Sequence, residues 1–391
     1  MPKNCHQEWM DEQDLHRIFA ALDGSARLVG GCVRDACIGG FVKDIDIATP
    51  YLPDQIIKLL QKEKIKVIPT GIKHGTVTAV VNNKNYEITT LRSDVACDGR
   101  HAKVEFTDSW QLDAARRDFT INAMSCDLLG NLYDYFGGYD DLIRGCVRFV
   151  GDANSRCQED ILRILRFFRF NAYYGKHIDE KGLAACIKYK DQISNLSGER
   201  IQSETLKLFG SGNAGKILGV MQENGICDKI FPARIDTSLV KKLGLAEPLL
   251  KLAATILAYS KEQLDNLAKR WKMSNKHKNY LIVMLENKEN IILDNIPKRH
   301  AFIRKYGKEI ASDLAILQAE ILDYGDISSI INEINNWEIP AFPISGKDLA
   351  KIGIPPGKQM GRLLKSAESL WEEGGYKADK DQLMDFVMKS C

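Results

Sequence analysis

Two aspartates, Asp44 and Asp46, flank a single isoleucine near the end of the segment LVGGCVRDACIGGFVKDIDIAT, which begins at Leu28. In a strand, this alternation puts both carboxylates on one face and turns Ile45 and Ile47 toward a core. Carboxylates roughly 6–7 Å apart at their Cα atoms can converge on two Mg²⁺ ions about 4 Å apart, the spacing used for in-line displacement at phosphorus. Upstream, Leu28 and Val29 read as the end of a strand. Gly30 and Gly31 then let the backbone approach an anion, with the amide N–H groups of a following helix aimed at it. A tight turn and a solvated aspartate pair are the ordinary alternatives for each element alone. Side by side, they favour a phosphate cradle next to a metal-binding pair.

A second constellation runs from Glu159 to Arg169, with Arg163, Arg166 and Arg169 at i, i+3 and i+6. Asp160 precedes Arg163 by one turn, so the two side chains can lie together as an intrahelical salt bridge or as a reader of base edges. CTP and ATP both present an exocyclic amino donor beside a ring-nitrogen acceptor, whereas UTP and GTP present the opposite order. A carboxylate acceptor beside a guanidinium donor can accept the first pair and reject the second. Arg166 and Arg169 continue the row and can meet phosphates. In the third constellation, Arg116 to Met124, Arg117 can neutralise triphosphate charge. Asp118 and Asn122 can bond sugar hydroxyls, which favours ribonucleotides. A capped helix with a basic first turn is the alternative reading.

These residues need a scaffold. Residues 1–140 mix strands and helices, with a hairpin expected across 67–92 about an Asn82-Asn83 turn. From about residue 155 onward the periodicity is helical. The 391 residues can hold two to four domains and a substantial core. No apolar run approaches a membrane span. The N-terminal residues lack a signal core, and the ten cysteines form no CxxC pair, so reduced thiols and a cytoplasmic protein are expected. Seven histidines, with neither HExxH nor an HD dipeptide, disfavour zinc proteases and HD hydrolases. The net charge is +2, from 54 basic and 52 acidic residues, so a polyanion must meet local patches rather than bulk charge. Lys269–Lys278 and Lys298–Tyr306, basic with interleaved aromatics, are two such patches, or else solvated helix faces.

Five segments together resemble the class II tRNA nucleotidyltransferases (CCA-adding enzymes) of the poly(A) polymerase superfamily. They are LVGGCVRD…KDIDIAT, RSDVACDGRHAKVEFT, RRDFTINAM, YDYFGGYDDLIRGCVRFVGD leading into EDILRILRFFRF, and SGERIQSE, in family order from about 25 to 210. The PISG…GIPPGKQMG segment extends the likeness more weakly. The resemblance implies an α+β fold: a nucleotidyltransferase head (1–137), then a helical neck (138–215), body (216–295) and tRNA-binding tail (296–391). It makes Asp44 and Asp46 ligands of Mg²⁺ and places Gly31 and Arg34 against the incoming nucleotide. Arg117 and Asp118 fall to ribose selection, Asp160 and Arg163 to base reading, and Arg166 and Arg169 to further nucleotide contacts. Glu87, in the strand Tyr86-Glu87-Ile88, is the candidate third carboxylate, with a structural role as the alternative. The family's flexible loop, implicated in the switch to adenosine addition, matches 92–106 with Asp98-Gly99-Arg100 at its centre.

The expected activity is template-independent addition of C, C and A to tRNA 3′ ends from CTP and ATP, with tRNA as partner, no membrane and no protein partner implied. Bacterial poly(A) synthesis shares the head, although GIKHGT at 71–76 looks more like the CCA-adding branch. A-only addition stays open; a CC-only enzyme is disfavoured by the 92–106 segment. A non-catalytic tRNA-binding protein would have no need of Asp44, Asp46, Asp160 and Arg163. A grip on acceptor-arm phosphates by the two basic stretches and the backbone near Gly353 and Gly357 would limit the additions to three.

Overall fold

One row of side chains decides which face of the sheet is buried. Cys126, Leu28, Ile47, Ile88 and Val77 sit side by side across five strands, and all are 0 % exposed. In this computed structural model, residues 4–98 and 101–390 are described, with only the backbone of 94–98 and 101–104. The strands are β1 (Arg27–Val29), β2 (Asp46–Thr49), β3 (Lys66–Gly71), β4 (Thr76–Val81), β5 (Lys84–Thr90), β6 (Arg92–Asp98), β7 (His101–Phe106), β8 (Met124–Cys126) and β9 (Leu132–Asp134). Seven of them form one sheet in the order β3-β4-β5-β2-β1-β8-β9, antiparallel except where β2 runs parallel to β5. The next row on the opposite face includes Asp46, Glu87 and Thr78. Period-2 alternation thus separates an apolar face from a polar one that carries the chemistry.

The expected hairpin is there, within a three-stranded meander. Asn82 and Asn83 turn β4 into β5 with φ of 48° and 63°, both in the left-handed region that asparagine tolerates, as a two-residue hairpin requires. The segment expected as a loop at 92–106 is a two-stranded antiparallel ribbon, β6 with β7. Its alternating Val, Ala and Phe suit strands. The centre of the expected loop, Gly99-Arg100, lies outside the described residues, as do the side chains of Asp94 and Asp98.

Helices α1 (Gln13–Ala21), α2 (Gly31–Cys37) and α3 (Pro53–Lys62) precede the meander, and α3 packs on β3 and β4 through Ile56 and Leu60. Helix α4 (Trp110–Ala115) leads into the RRD segment. Then come α5 (Gly138–Arg144), α6 (Ala153–Glu159), α7 (Leu162–Tyr174), α8 (Glu180–Tyr189), α9 (Gly198–Phe209) and α10 (Ala214–Glu223). These elements belong to one compact unit, which runs up to Thr237 and takes in Asn266–Met273. The second unit, Ser238–Asp265 and the chain from Ser274 on, is helical. Its helices are α11 (Ser238–Lys242), α12 (Pro248–Thr255), α13 (Lys261–Trp271, whose later turns belong to the first unit), α14 (Asn275–Asn287), α15 (Ile296–Tyr306), α16 (Lys308–Leu322), α17 (Ser328–Asn336), α18 (Gly346–Lys351), α19 (Lys358–Glu373) and α20 (Lys380–Lys389). The fold class is α+β, a sheet-bearing head followed by helices. No helix among the described residues is long and apolar enough to cross a membrane.

Candidate active site

Asp46 opens β2, and the parallel register sets Glu87 of β5 directly beside it, on strands about 4.8 Å apart. Asp44 is exposed in the connection two residues before the strand. The expected alternation therefore begins one pair late: Ile47 is buried, but Ile45 is only half-buried. The carboxylates are assembled by strand register plus a loop, not by one strand. Asp46 reaches water at the mouth of a cavity, yet its carboxyl is pushed above the usual carboxylate range. Crowding by protein is the main cause; Glu87 and Asp44 add to it and Arg117 opposes it. Among the described residues, no three His, Cys, Asp or Glu side chains close on one point as a preformed cage. The donors here are all carboxylate oxygens, which suit a hard divalent cation, and the repulsion at Asp46 is what such a cation relieves.

β1 is followed by Gly30, whose φ of +74° favours glycine. A Cβ there would also stand 2.8 Å from Arg117 Nη1, so both the backbone conformation and the close approach of the guanidinium call for glycine. Beyond it opens a cavity of about 400 Å³. Of the residues expected at the site, Gly31, Arg34, Asp46, Arg117, Asp118, Asn122, Asp160, Arg163 and Arg166 line it, together with Gly30, Arg116 and Phe170. Asp44, Glu87 and Arg169 do not.

An aromatic core fixes the RRD segment against α7. Phe119 packs on Phe149 at 4.9 Å and on Phe170 at 5.3 Å, and Phe149 stacks on Phe167. The Thr120 N–H donates to Arg148 O, and the Val150 N–H donates to Asp118 O. After Asp118 the chain makes a 3₁₀ turn, Thr120–Asn122, rather than the start of a helix. Helix α7 buries Ile164, Leu165, Phe167 and Phe168, which leaves Arg163, Arg166 and Arg169 on its other side.

The polar groups then form one chain. Arg34 Nη1 donates to Asn122 Oδ1 at 2.6 Å, and Asn122 Nδ2 donates to Asp118 Oδ1 at 3.0 Å. Arg166 Nε donates to Asp118 Oδ2 at 2.7 Å, and Arg169 Nε donates to Glu204 Oε2 at 2.6 Å. Burial alone would raise the Asp118 carboxyl. The Arg166 charge, with bonds from Asn122, Arg166 and the Phe119 N–H, outweighs that and holds it below the usual range.

Asp160 and Arg163 share the cavity but are not paired. Asp160 lies in the break between α6 and α7, in extended conformation, and its Oδ1 accepts from the Leu162 N–H at 3.0 Å. Both its oxygens accept from Arg200 Nη2 at 2.9 Å. Arg163 is held instead by Glu159 and by the carbonyls of Arg156 and Arg116. The expected side-by-side geometry assumed a helix running through Asp160, whereas α7 starts at Leu162.

Sequence reasoning missed Asp35, Asp113, Glu159, Arg200 and Glu204. Asp113, 3 % exposed, pairs with both Arg116 and Arg117 and accepts from the Arg92 N–H at the root of the ribbon. Arg200 and Glu204 carried a signal: they are i, i+4 in SGERIQSE and so share a face of α9, the helix that packs on α7.

The two basic stretches are largely consumed inside the protein. Arg270 donates to the carbonyls of Leu196 and Ser194, and Trp271, 0 % exposed, donates to Ile230 O. In the second unit, Arg299 is bound to Glu333 and to Ile292 O and Leu293 O, and Arg304 to Glu368. Guanidinium groups satisfy buried carbonyls here. Lys269, Lys276, Lys298 and Lys305 remain exposed.

A family described as "Poly A polymerase head domain" matches residues 26–148, and one described as tRNA nucleotidyltransferase domain 2 matches 248–387. The chain is 36 % identical to the mitochondrial CCA tRNA nucleotidyltransferase 1 of Danio rerio, over 96 % of this chain and 90 % of the relative. It is 29 % identical to a CCA-adding enzyme of Leuconostoc mesenteroides, over 97 % and 96 %. The crystal structure of the Bacillus stearothermophilus CCA-adding enzyme in complex with CTP superposes with a TM-score of 0.75 at 26 % identity, over 95 % of each chain. With a relative of this identity matched along nearly its whole length, the chain belongs to the CCA tRNA nucleotidyltransferase family.

Proposed function

We propose that this protein adds C, C and A, without a nucleic-acid template, to the 3′ end of tRNA from CTP and ATP, releasing pyrophosphate. The observation that carries the reading is the gathering of the site's groups in one cavity. It sets groups suited to phosphate (Gly30, Gly31, Arg117), sugar (Asp118, Asn122) and base edge (Asp160, Arg163) together with the Asp46 carboxylate. Asp44, Asp46 and Glu87 would hold divalent cations, which we take to be Mg²⁺; when bound, these polarise the phosphoryl oxygens and lower the pKa of a coordinated hydroxyl. Arg117 and Arg34 orient the triphosphate and sugar. Asp118 and Asn122, locked in the chain of hydrogen bonds, offer fixed partners to the ribose hydroxyls. Asp160 retains acceptor capacity beyond its bonds to Arg200 and Leu162, and Arg163 retains two of its five N–H donors. These suffice for one amino donor and one ring-nitrogen acceptor, the edge shared by C and A. Arg166 anchors Asp118, and Arg169 lies behind it against Glu204. The names of the curated relatives support tRNA as the acceptor, and we assign its grip to the helical residues from 138 onward, in the neck, body and tail division given by the resemblance.

The decisive assay supplies a tRNA lacking its 3′ end with CTP and ATP in excess and reads the products on a sequencing gel. A stop after three additions is expected. A long adenosine ladder would instead favour poly(A) synthesis, the reading that the head alone allows. We place the reaction in the cytoplasm. The animal relatives are named as mitochondrial, so fractionation of the source cells is the corresponding test.

A further inference from the structure

Arg34 lines the cavity yet is only 8 % exposed, and its guanidinium is held from four sides. Nε and Nη2 donate to the two oxygens of Asp35, each at 2.9 Å, and Nη1 donates to Asn122. The flat face lies 4.3 Å from the Tyr174 ring centre and 5.2 Å from that of Phe170. Tyr174 closes the arrangement, since its hydroxyl donates to Asp35 Oδ1 at 2.8 Å. Burial raises the phenol well above its ordinary range, so it stays a donor. Adjacent residues on a helix do not face each other. A forked pair between Arg34 and Asp35 therefore needs the arginine to curl back, and Tyr174 supplies both the surface it curls against and a bond that fixes its partner. Three of the five guanidinium N–H groups are used; one on each Nη is left.

We propose that Asp35 and Tyr174 are positioning residues: they hold the guanidinium of Arg34 so that its two remaining N–H groups meet the ribose–triphosphate portion that CTP and ATP share. The inference rests on the nucleotidyltransferase reading above. It ties α2 of the sheet-bearing head to the last residue of α7, the helix that carries Arg163 and Arg166. Because Asp35 neutralises the arginine, the contact is one of direction rather than of charge. Base choice is therefore untouched, and both nucleotides suffer alike.

Tyr174→Phe keeps the ring and deletes the bond to Asp35; Asp35→Asn breaks the fork. Loss of a side-chain hydrogen bond changes binding by about 3- to 10-fold. Tyr174→Phe should raise KM for CTP and ATP by the same factor in that range, and Asp35→Asn by about 10-fold or more. The preference for CTP over UTP should stay at the parental value. On an Arg34→Lys background, Asp35→Asn should add nothing further. An unchanged KM, a change in one nucleotide only, or full additivity with Arg34→Lys would overturn the proposal. If the parent adds no nucleotide to tRNA, the function reading fails. Calorimetric titration of CTP into the same variants then still decides the clamp by the same factors.

Discussion

Asp118→Asn is the sharpest single test of the polar chain, because it removes a charge and changes almost no volume. Asp118 is 8 % exposed and accepts four bonds, from the Phe119 N–H, from Asn122 and twice from Arg166. An amide in its place keeps one oxygen, which can serve Phe119 and Asn122, and turns an NH₂ toward the guanidinium. Removing one partner of a buried ion pair costs about 3–5 kcal/mol. Here the Arg166 side chain is 30 % exposed, and Glu204 stands 3.9 Å from its Nη1, so part of the charge is recovered. About 2–3 kcal/mol at pH 7 is the resulting expectation. The two compact units need not unfold together. Urea titration should therefore be followed by hydrogen exchange at the α7 amides, which report on the first unit alone. The sign of the pH dependence follows from the depressed pKa of Asp118. Its contribution is complete above the unfolded value, near 3.9, and is lost as pH falls through the lower folded value. The gap between parent and variant should thus shrink as pH falls below about 4, where the unfolded chain takes up a proton that the folded Asp118 resists. Equal stability at pH 7, or a gap that stays constant from pH 5 to pH 3, would refute the claim that the Asp118–Arg166 pair holds the RRD segment against α7.

Three further outcomes are expected. Asp46→Ala, and likewise Asp44→Ala, should abolish incorporation of both CTP and ATP while filter-binding affinity for tRNA changes little; turnover near the parental rate would remove these aspartates from the cation site. Asp160→Ala should relax rejection of UTP and GTP by very roughly 10- to 100-fold, read by competition between nucleotides; undiminished selectivity would leave Asp160 only as the partner of Arg200. Shortening the β6–β7 ribbon should impair addition of the final A more than that of either C, measured by single-nucleotide extension of tRNAs ending before and after CC; equal losses would make the ribbon a purely structural element of the head.

Local chemistry in this chain was legible where a residue's own neighbours in sequence decide its conformation. Asn82-Asn83 announced a two-residue turn, and the apolar side of α7 was readable from its period. What escaped was what tertiary pairing decides. Glu87 was a weak candidate in the sequence, because its strand mate Asp46 is forty-one residues away and only the parallel β2–β5 register brings them together. Asp160 and Arg163 looked like a helical i, i+3 pair, but the helix begins two residues after Asp160 and each side chain found a different partner. The segment 92–106 was expected as a loop from the resemblance, whereas its two strands pair with each other and not with the seven-stranded sheet. The basic stretches divide for a related reason. Charge along a sequence does not say whether an arginine faces water or caps buried carbonyls, as Arg270 and Arg299 do.

The same pairing reconciles a polyanionic substrate with a net charge of only +2. The arginines that face the cavity are each backed by a carboxylate: Arg34 by Asp35, Arg116 and Arg117 by Asp113, Arg163 by Glu159, and Arg166 by Asp118. A guanidinium so backed loses much of its long-range pull and keeps its planar array of donors in a fixed direction. That suits a site that must take two nucleotides of different size, hold their common sugar and phosphates in one place, and judge only the edge of the base. Unbacked charge would bind all four nucleotides more tightly and equally. Carboxylates behind the arginines, two of them (Glu159 and Asp118) supplied from outside the helix that carries the arginine, turn attraction into alignment, and alignment is what discrimination without a template requires.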